Sequence, residues 1–410
     1  MRPQLPLIRP SRALRAAAQR GLSLIELMVA MAIGLVVVLA TTSLIVVSQT
    51  QERNTGGSND MNQSSAYAAT VLDQALRSAG AGFAQGWDLG ALGCLPHLSR
   101  EGTALLPRTT ALPVPFADFL GGAAGTANLR IAPLLINQGP VGGSDILMVM
   151  SGSAAIGDVP RRVRDFIDGN GTESRVRVDT TLAMHPDDVL LLSRPESEAC
   201  VVTQVKSDFL HATGNDVLPL AGDYYRETAD GSNTLETMLG GGESFITGLG
   251  NAGSGNLSLQ LFGVGADRVL FRYDLLQTAG IDEAQAMAEG VVAMRAIYSV
   301  DANIDDRSAS PAPTWTAPTL GYDAGTLLAM TPRDRAQALR RIVGVRVSLL
   351  LRSSARQSQV AAPETIVMLN DLPGEQTVTL SDADRRFAHR LVETTIPLRN
   401  ALMVQPELEP

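Results

Sequence analysis

The chain has 410 residues with a formal net charge of −9, long enough for a large head of one or two lobes and too acidic for general nucleic-acid binding. Its many Gly and Pro, few aromatics and single apolar run of spanning length describe a soluble globular head with one membrane segment. Lys206 is the only lysine, which confines any lysine nucleophile or Schiff base to that position.

In chain order, the first element is an apolar run that opens at Gly21-Leu22-Ser23-Leu24-Ile25-Glu26 and continues to Val47 with Glu26 as its one charge. Arg2, Arg9, Arg12, Arg15 and Arg20 precede it with no acid among them, which predicts that residues 1–20 stay on the cytoplasmic side while the rest of the chain points outward. As a helix, Leu22 to Val47 would span roughly 39 Å at ~1.5 Å per residue, enough to cross a ~30 Å hydrocarbon core with some tilt. The run is too long for the h-region of an ordinary secretory signal, ~7 to 15 residues. A plain anchor fits the length if Glu26 snorkels to the interface. It gives no reason, however, for a carboxylate one turn inside the span.

Glycine, an apolar residue, serine, leucine, isoleucine and glutamate in that order, Gly21 to Glu26, resemble a type IV prepilin leader. The resemblance implies that residues 1–21 are a leader peptide, cut between Gly21 and Leu22 by a prepilin peptidase, and that the new amine of Leu22 is N-methylated. It also implies that Glu26 pairs with the terminal ammonium of a neighbouring subunit during assembly, as a buried carboxylate requires a buried cation. Leu22 stands where phenylalanine is most common in the family, a mild departure. Loss of the five leader arginines leaves a net charge of about −14.

Beyond Val47 the sequence turns polar, and Gly56-Gly57 predicts a kink or short break in the helix over residues 54–59, each glycine costing ~1 kcal/mol relative to alanine. Helical spacing resumes with Ala68, Leu72, Ala75, Leu76 and Ala79 on one face, and Gly80 and Gly82 end it. The expected division is a leader 1–21, a membrane and assembly half 22–53, an amphipathic half 54–82 and a β-rich head 83–410. Residues 83–143 read as loops and short elements. Strands are expected at 145–150, 189–192, 200–206, 257–262, 268–273, 291–300 and 342–352, with 387–398 as a terminal or edge strand. The stretch 207–256 is Gly-rich and indistinct. Thr331-Pro332-Arg333-Asp334 predicts a capped short helix through Arg340. Outward orientation puts Cys94 and Cys200 in an oxidising periplasm, either as one disulfide, worth up to ~4.7 kcal/mol across a loop of this length, or as two buried thiols.

Several stretches resemble one subfamily, the PilW-type minor pilins: residues 61–82, "GSDIL" at 143–147, "DDVLLLS" at 187–193, "GVVAMRAIYSVD" at 290–301, "VGVRVSLLLRS" at 343–353 and "RRFAHRLVETTIPLRN" at 385–400. Catalytic and metal patterns are weak by comparison. His97, His185, His211 and His389 lack paired-ligand spacing, and neither a G-x-S-x-G elbow nor a P-loop occurs. Asp301-x-Asn303-x-Asp305 starts like a calcium loop but has Asp306 and Ala312 where glycine and glutamate are needed, and Asp168-Gly-Asn170-Gly-Thr172 fails similarly at Glu173. Turns favour the same residues.

The expectation is an α+β protein, a long N-terminal helix packed on a mainly antiparallel β-rich head, with neither enzymatic activity nor a cofactor or metal. The resemblance implies a minor pilin that helps to prime type IV pili, first single-pass in the inner membrane with a periplasmic head, then in the pilus. Its partners would be other minor pilins, the major pilin, the prepilin peptidase, the assembly platform and a tip adhesin. A minor pseudopilin of a type II secretion system shares the same leader. A membrane-anchored periplasmic enzyme or binding protein is the alternative of another class.

Overall fold

The computed structural model describes residues 23–402 except 127, 141–142, 154–158, 213, 228–234, 240–242, 278–279, 305–312, 320 and 373–375. The chain divides into two compact units, 1–55 and 56–410.

Helix α1 runs over Leu24–Ser78, and the chain is helical through residues 54–59, where a kink or short break is expected. Packing explains why both glycines are tolerated and only one is needed. A Cβ built on Gly57 would stand 2.9 Å from Ala355 Cβ and 3.0 Å from the Ala355 amide nitrogen, whereas nothing lies within 4 Å of one on Gly56. Gly57 is thus a notch for close approach, and tertiary contact outweighs its helix propensity. Gly57, Ser65, Ala68, Leu72 and Leu76 are the buried residues of α1, a stripe of small and apolar side chains at helical spacing. Gly80, at φ +78°, ends the helix. Gly56→Ala should stabilise the protein by up to ~1 kcal/mol and Gly57→Val should destabilise it by about 1–3 kcal/mol. Thermal unfolding of the two variants side by side checks this, and equal effects would contradict the notch.

Strands β1 (Leu95–Arg100), β2 (Thr103–Leu106), β3 (Leu134–Asn137) and β4 (Ile146–Ser151), with helix α2 (Ala123–Thr126), come first. Then follow β5 (Arg161–Gly169), β6 (Ser174–Val178), β7 (Asp188–Ser193), β8 (Ala199–Gln204), β9 (Val217–Leu220), α3 (Leu235–Leu239) and β10 (Ser244–Asn251). Next are β11 (Ser258–Val264), β12 (Val269–Asp274), β13 (Gln285–Glu289), β14 (Val291–Val300), β15 (Thr314–Thr316), α4 (Ala324–Ala329) and α5 (Pro332–Arg340). The described chain closes with β16 (Ile342–Arg356), β17 (Thr365–Met368), β18 (Gln376–Thr379), β19 (Phe387–Pro397) and α6 (Arg399–Leu402).

They form an eight-stranded sheet in the order β2-β1-β8-β7-β10-β5-β6-β9, a five-stranded sheet β13-β12-β11-β4-β3, a four-stranded sheet β15-β14-β16-β19 and the β17-β18 hairpin. All pairings are antiparallel except β1 with β8. The architecture is therefore α+β with a mostly antiparallel β-rich head. Each expected strand has its counterpart, β19 lies at a sheet edge, and α5 starts at a Thr331 cap whose Oγ1 accepts the Asp334 amide at 3.4 Å.

Strand β7 is buried at all six positions, which is why "DVLLLS" lacks alternation. Val189 and Leu191 enter the main core with Cys200 and Val202, while Leu190 and Leu192 enter a second core with Val163, Val176 and Ile246. The indistinct stretch 207–256 turns out to hold β9, α3 and β10. Strand β10 is hidden in sequence because Gly248 and Gly250 flank a register shift there, and the chain crosses closely enough that a Cβ on Gly82 would stand 2.8 Å from the Gly248 carbonyl oxygen. Strands β4 and β11 pair directly although β5 to β10 lie between them in sequence, so the eight-stranded sheet is largely an excursion from the five-stranded one. The second half of α1 lies over β16 and β19, where Leu72, Val347, Leu349, Val392 and Ile396 face one another.

Candidate functional site

Gly21 and Leu22 fall outside the described residues. Ser23 opens α1: its Oγ accepts the Glu26 amide at 3.2 Å and its carbonyl accepts the Leu27 amide at 3.1 Å. Ser-x-x-Glu is the pattern of a helix N-cap with an acid in the first turn. Glu26 is exposed, and its carboxylate meets no cation among the described residues. From Leu24 to Val47 the large apolar side chains are exposed as well, on a helix long and apolar enough to cross a membrane. The segment thus presents an exposed carboxylate at the head of an unburied apolar helix.

The second half of α1 is fixed to the head by polar contacts at several heights. Asp60 Oδ2 accepts from Ser354 Oγ at 3.5 Å, Arg390 donates to Asn62 Oδ1, and the Asn400 amide donates to the carbonyls of Ser78 and Ala79 at 3.3 and 2.9 Å. Asn400 therefore satisfies the last turn of a helix more than three hundred residues earlier, a role no sequence pattern announces.

The subfamily stretches meet in pairs. Asp145 of "GSDIL" receives Arg295 of "AMRAIYSVD" at 2.7 Å, with the two side chains 3% and 1% exposed. The carboxylate also accepts the amides of Ala296 at 2.9 Å and Gly139 at 3.0 Å, and the guanidinium donates to the Pro140 carbonyl at 2.7 Å. Burial pushes the Asp145 carboxyl up, while Arg295 and the two amides pull it down. Glu393 takes Arg346 at 2.8 Å and Ser348 Oγ at 2.9 Å, and Arg352 reaches Asp384 at 2.7 Å. These residues tie strands together; they do not converge on one cleft.

Cys94 and Cys200 are joined as a disulfide, with Cα atoms 5.7 Å apart and both residues buried beside the β1–β8 pair. We expect non-reducing peptide mapping to recover this single crosslinked pair. Free alkylation of both thiols under denaturing, non-reducing conditions would rule it out.

The remaining candidates stay apart. His185 Nδ1 lies 3.1 Å from the Ala183 carbonyl, His211 Nδ1 lies 3.1 Å from Thr181 Oγ1, His97 is buried in β1, and His389 lies in β19. Among the described residues no three His, Cys, Asp or Glu side chains converge as a metal site would require. Asp168 pairs with Arg175, and Asn170 Oδ1 accepts the amides of Thr172 and Glu173, the bonds of a turn. Asp301 accepts the Asn303 amide at 2.9 Å, but Asp305, Asp306 and Ala312 lie outside the described residues. Lys206 Nζ binds Glu173 at 2.9 Å, and that partner raises its pKa. A cleft of about 560 Å³ opens between Trp87, Pro195, Phe245 and Pro332, rimmed by Arg162, Arg333, Asp88, Glu196 and Glu243. Its charges are of both signs and select no ligand class.

Two family models match the chain. One, described as a prokaryotic N-terminal methylation motif, covers residues 17–42, and the other, described as type IV pilus-assembly protein W, or PilW, covers residues 260–400. No curated protein and no solved structure matches it. The methylation motif spans Gly21 to Glu26 and most of the apolar run, so the chain is a prepilin-like protein related to the type IV pilus. The second match runs from β11 to Asn400 across the strands that carry the spine, and together the two support a prepilin-like protein of the PilW type.

Proposed function

We propose that this chain is a minor pilin, a structural subunit that helps to prime and build type IV pili. The reading rests on one observation above others: a prepilin methylation motif and a PilW-type head occur on one chain. Residues 1–21 are the leader, cut by the prepilin peptidase between Gly21 and Leu22, and Leu22 is then N-methylated. Residues 22–53 anchor the subunit in the inner membrane, with the head on the periplasmic side, until it leaves for the pilus. Glu26 pairs with the terminal ammonium of a neighbouring subunit as the helices gather. Its exposed carboxylate supports this role, because a charge in hydrocarbon costs several kcal/mol until matched. The partners are other minor pilins, the major pilin, the assembly platform and a tip adhesin. The PilW match favours the pilus over a type II secretion filament as the destination.

Shearing and fractionation test the proposal. An epitope-tagged chain should appear in sheared pili at a small fraction of the major pilin, and its deletion should reduce surface piliation. Retention of all tagged protein in the membrane, with piliation unchanged on deletion, would refute it.

A further inference from the structure

The seam between the five-stranded and four-stranded sheets carries an ion cluster that none of the assembly contacts uses. Arg268, in the β11–β12 turn, and Arg352, on β16, both donate to Asp384 Oδ1, each at 2.7 Å. Asp384 Oδ2 takes the Ser381 hydroxyl at 2.6 Å, and the Asp384 amide returns to Ser381 Oγ at 3.1 Å. One carboxylate therefore holds two guanidiniums, and the cluster carries a surplus positive charge.

His389 stands next to it, directly opposite Arg352 in the β16–β19 register. Its Nδ1 lies 3.0 Å from the Phe387 carbonyl, which only accepts, so Nδ1 carries the proton and Nε2 is the bare nitrogen. That Nε2 is buried without a partner among the described residues. Arg352 also covers the Phe387 ring, 4.3 Å from its centroid. The charged groups that act on His389 are Asp384, Arg352 and Arg268.

We propose that His389 makes this seam an acid-sensitive latch: the imidazole is held neutral beside two arginines that share one carboxylate, and the proton it takes up in acid loosens Arg268 and Arg352 from Asp384. A third cation would enter a cluster that already has one too many, at a nitrogen with no acceptor in reach. Burial lowers the His389 pKa from the usual imidazole value of 6.5; the Phe387 carbonyl and Asp384 oppose it, and Arg352 and Arg268 add to it. Burial would push Asp384 up, but the Ser381 hydroxyl and its two arginines hold it below the ordinary carboxylate range. Between about pH 6.5 and the lower folded value the unfolded chain binds the extra proton, so stability is full above that window and is lost as pH falls through it.

The test uses the full chain in detergent. The melting temperature of the wild type should be level from pH 8 to 7 and fall by several degrees toward pH 5, and His389→Gln should remove most of that slope. Hydrogen exchange should accelerate below pH 6 at residues 265–268 and 381–389 ahead of the main core. Should His389→Gln fold poorly, an NMR titration of the wild-type His389 imidazole decides the same point: it must stay neutral below pH 6.5, the usual imidazole value. An unchanged slope in His389→Gln, or a His389 that titrates at or above the usual imidazole value of 6.5, would overturn the latch.

Discussion

Replacing Asp145 by alanine should cost the head about 3–5 kcal/mol, the penalty of leaving a buried charge without its partner. Arg295 is 1% exposed at the side chain and would keep only the carbonyls of Gly139 and Pro140 as acceptors. The amides of Ala296 and Gly139 would lose their acceptor at the same time. Replacing both partners by apolar residues of similar volume should recover much of the loss, because it removes the buried charge as well. Urea unfolding of the full chain in detergent, followed by fluorescence of Trp87 and Trp315, measures both. A single Asp145→Ala variant within about 1 kcal/mol of wild type, the size of an exposed pair, would show that Arg295 finds water or another acceptor.

The second large effect is functional. Glu26→Leu removes the one charge of the apolar run, so membrane insertion and head folding should survive, and the lipid penalty should fall. Incorporation into pili should nevertheless drop by about tenfold or more, since an ammonium buried without its carboxylate costs several kcal/mol and each tenfold is about 1.4 kcal/mol. Normal abundance in the membrane separates this outcome from misfolding. Wild-type levels of Glu26→Leu in sheared pili would show that Glu26 has no pairing role.

Much of this fold was legible because periodicity and capping chemistry are local. Thr331-Pro332 marked the start of α5, and the apolar run without proline marked α1. What stayed hidden depends on contacts across the chain. Gly57 reads as a helix breaker until Ala355 is beside it, and Gly248 and Gly250 read as loop until β10 is seen between β7 and β5. Strand β5, "RRVRDFIDG", was obscured by charges on its exposed face, where Arg164 pairs with Asp179 at 2.6 Å and Asp168 with Arg175. At the candidate site, the segment around Glu26 stood out by its resemblance to a prepilin leader. Asn400 and the Asp145–Arg295 pair were not, because each works on a partner more than one hundred residues away.

Processing is the step on which the proposed role depends most directly. Intact-mass analysis of the membrane-extracted protein should show loss of residues 1–21 and one added methyl group in cells with an active prepilin peptidase, and the uncut chain in cells without it. Retention of Met1 in peptidase-positive cells would contradict a prepilin-like subunit, whatever the head resembles.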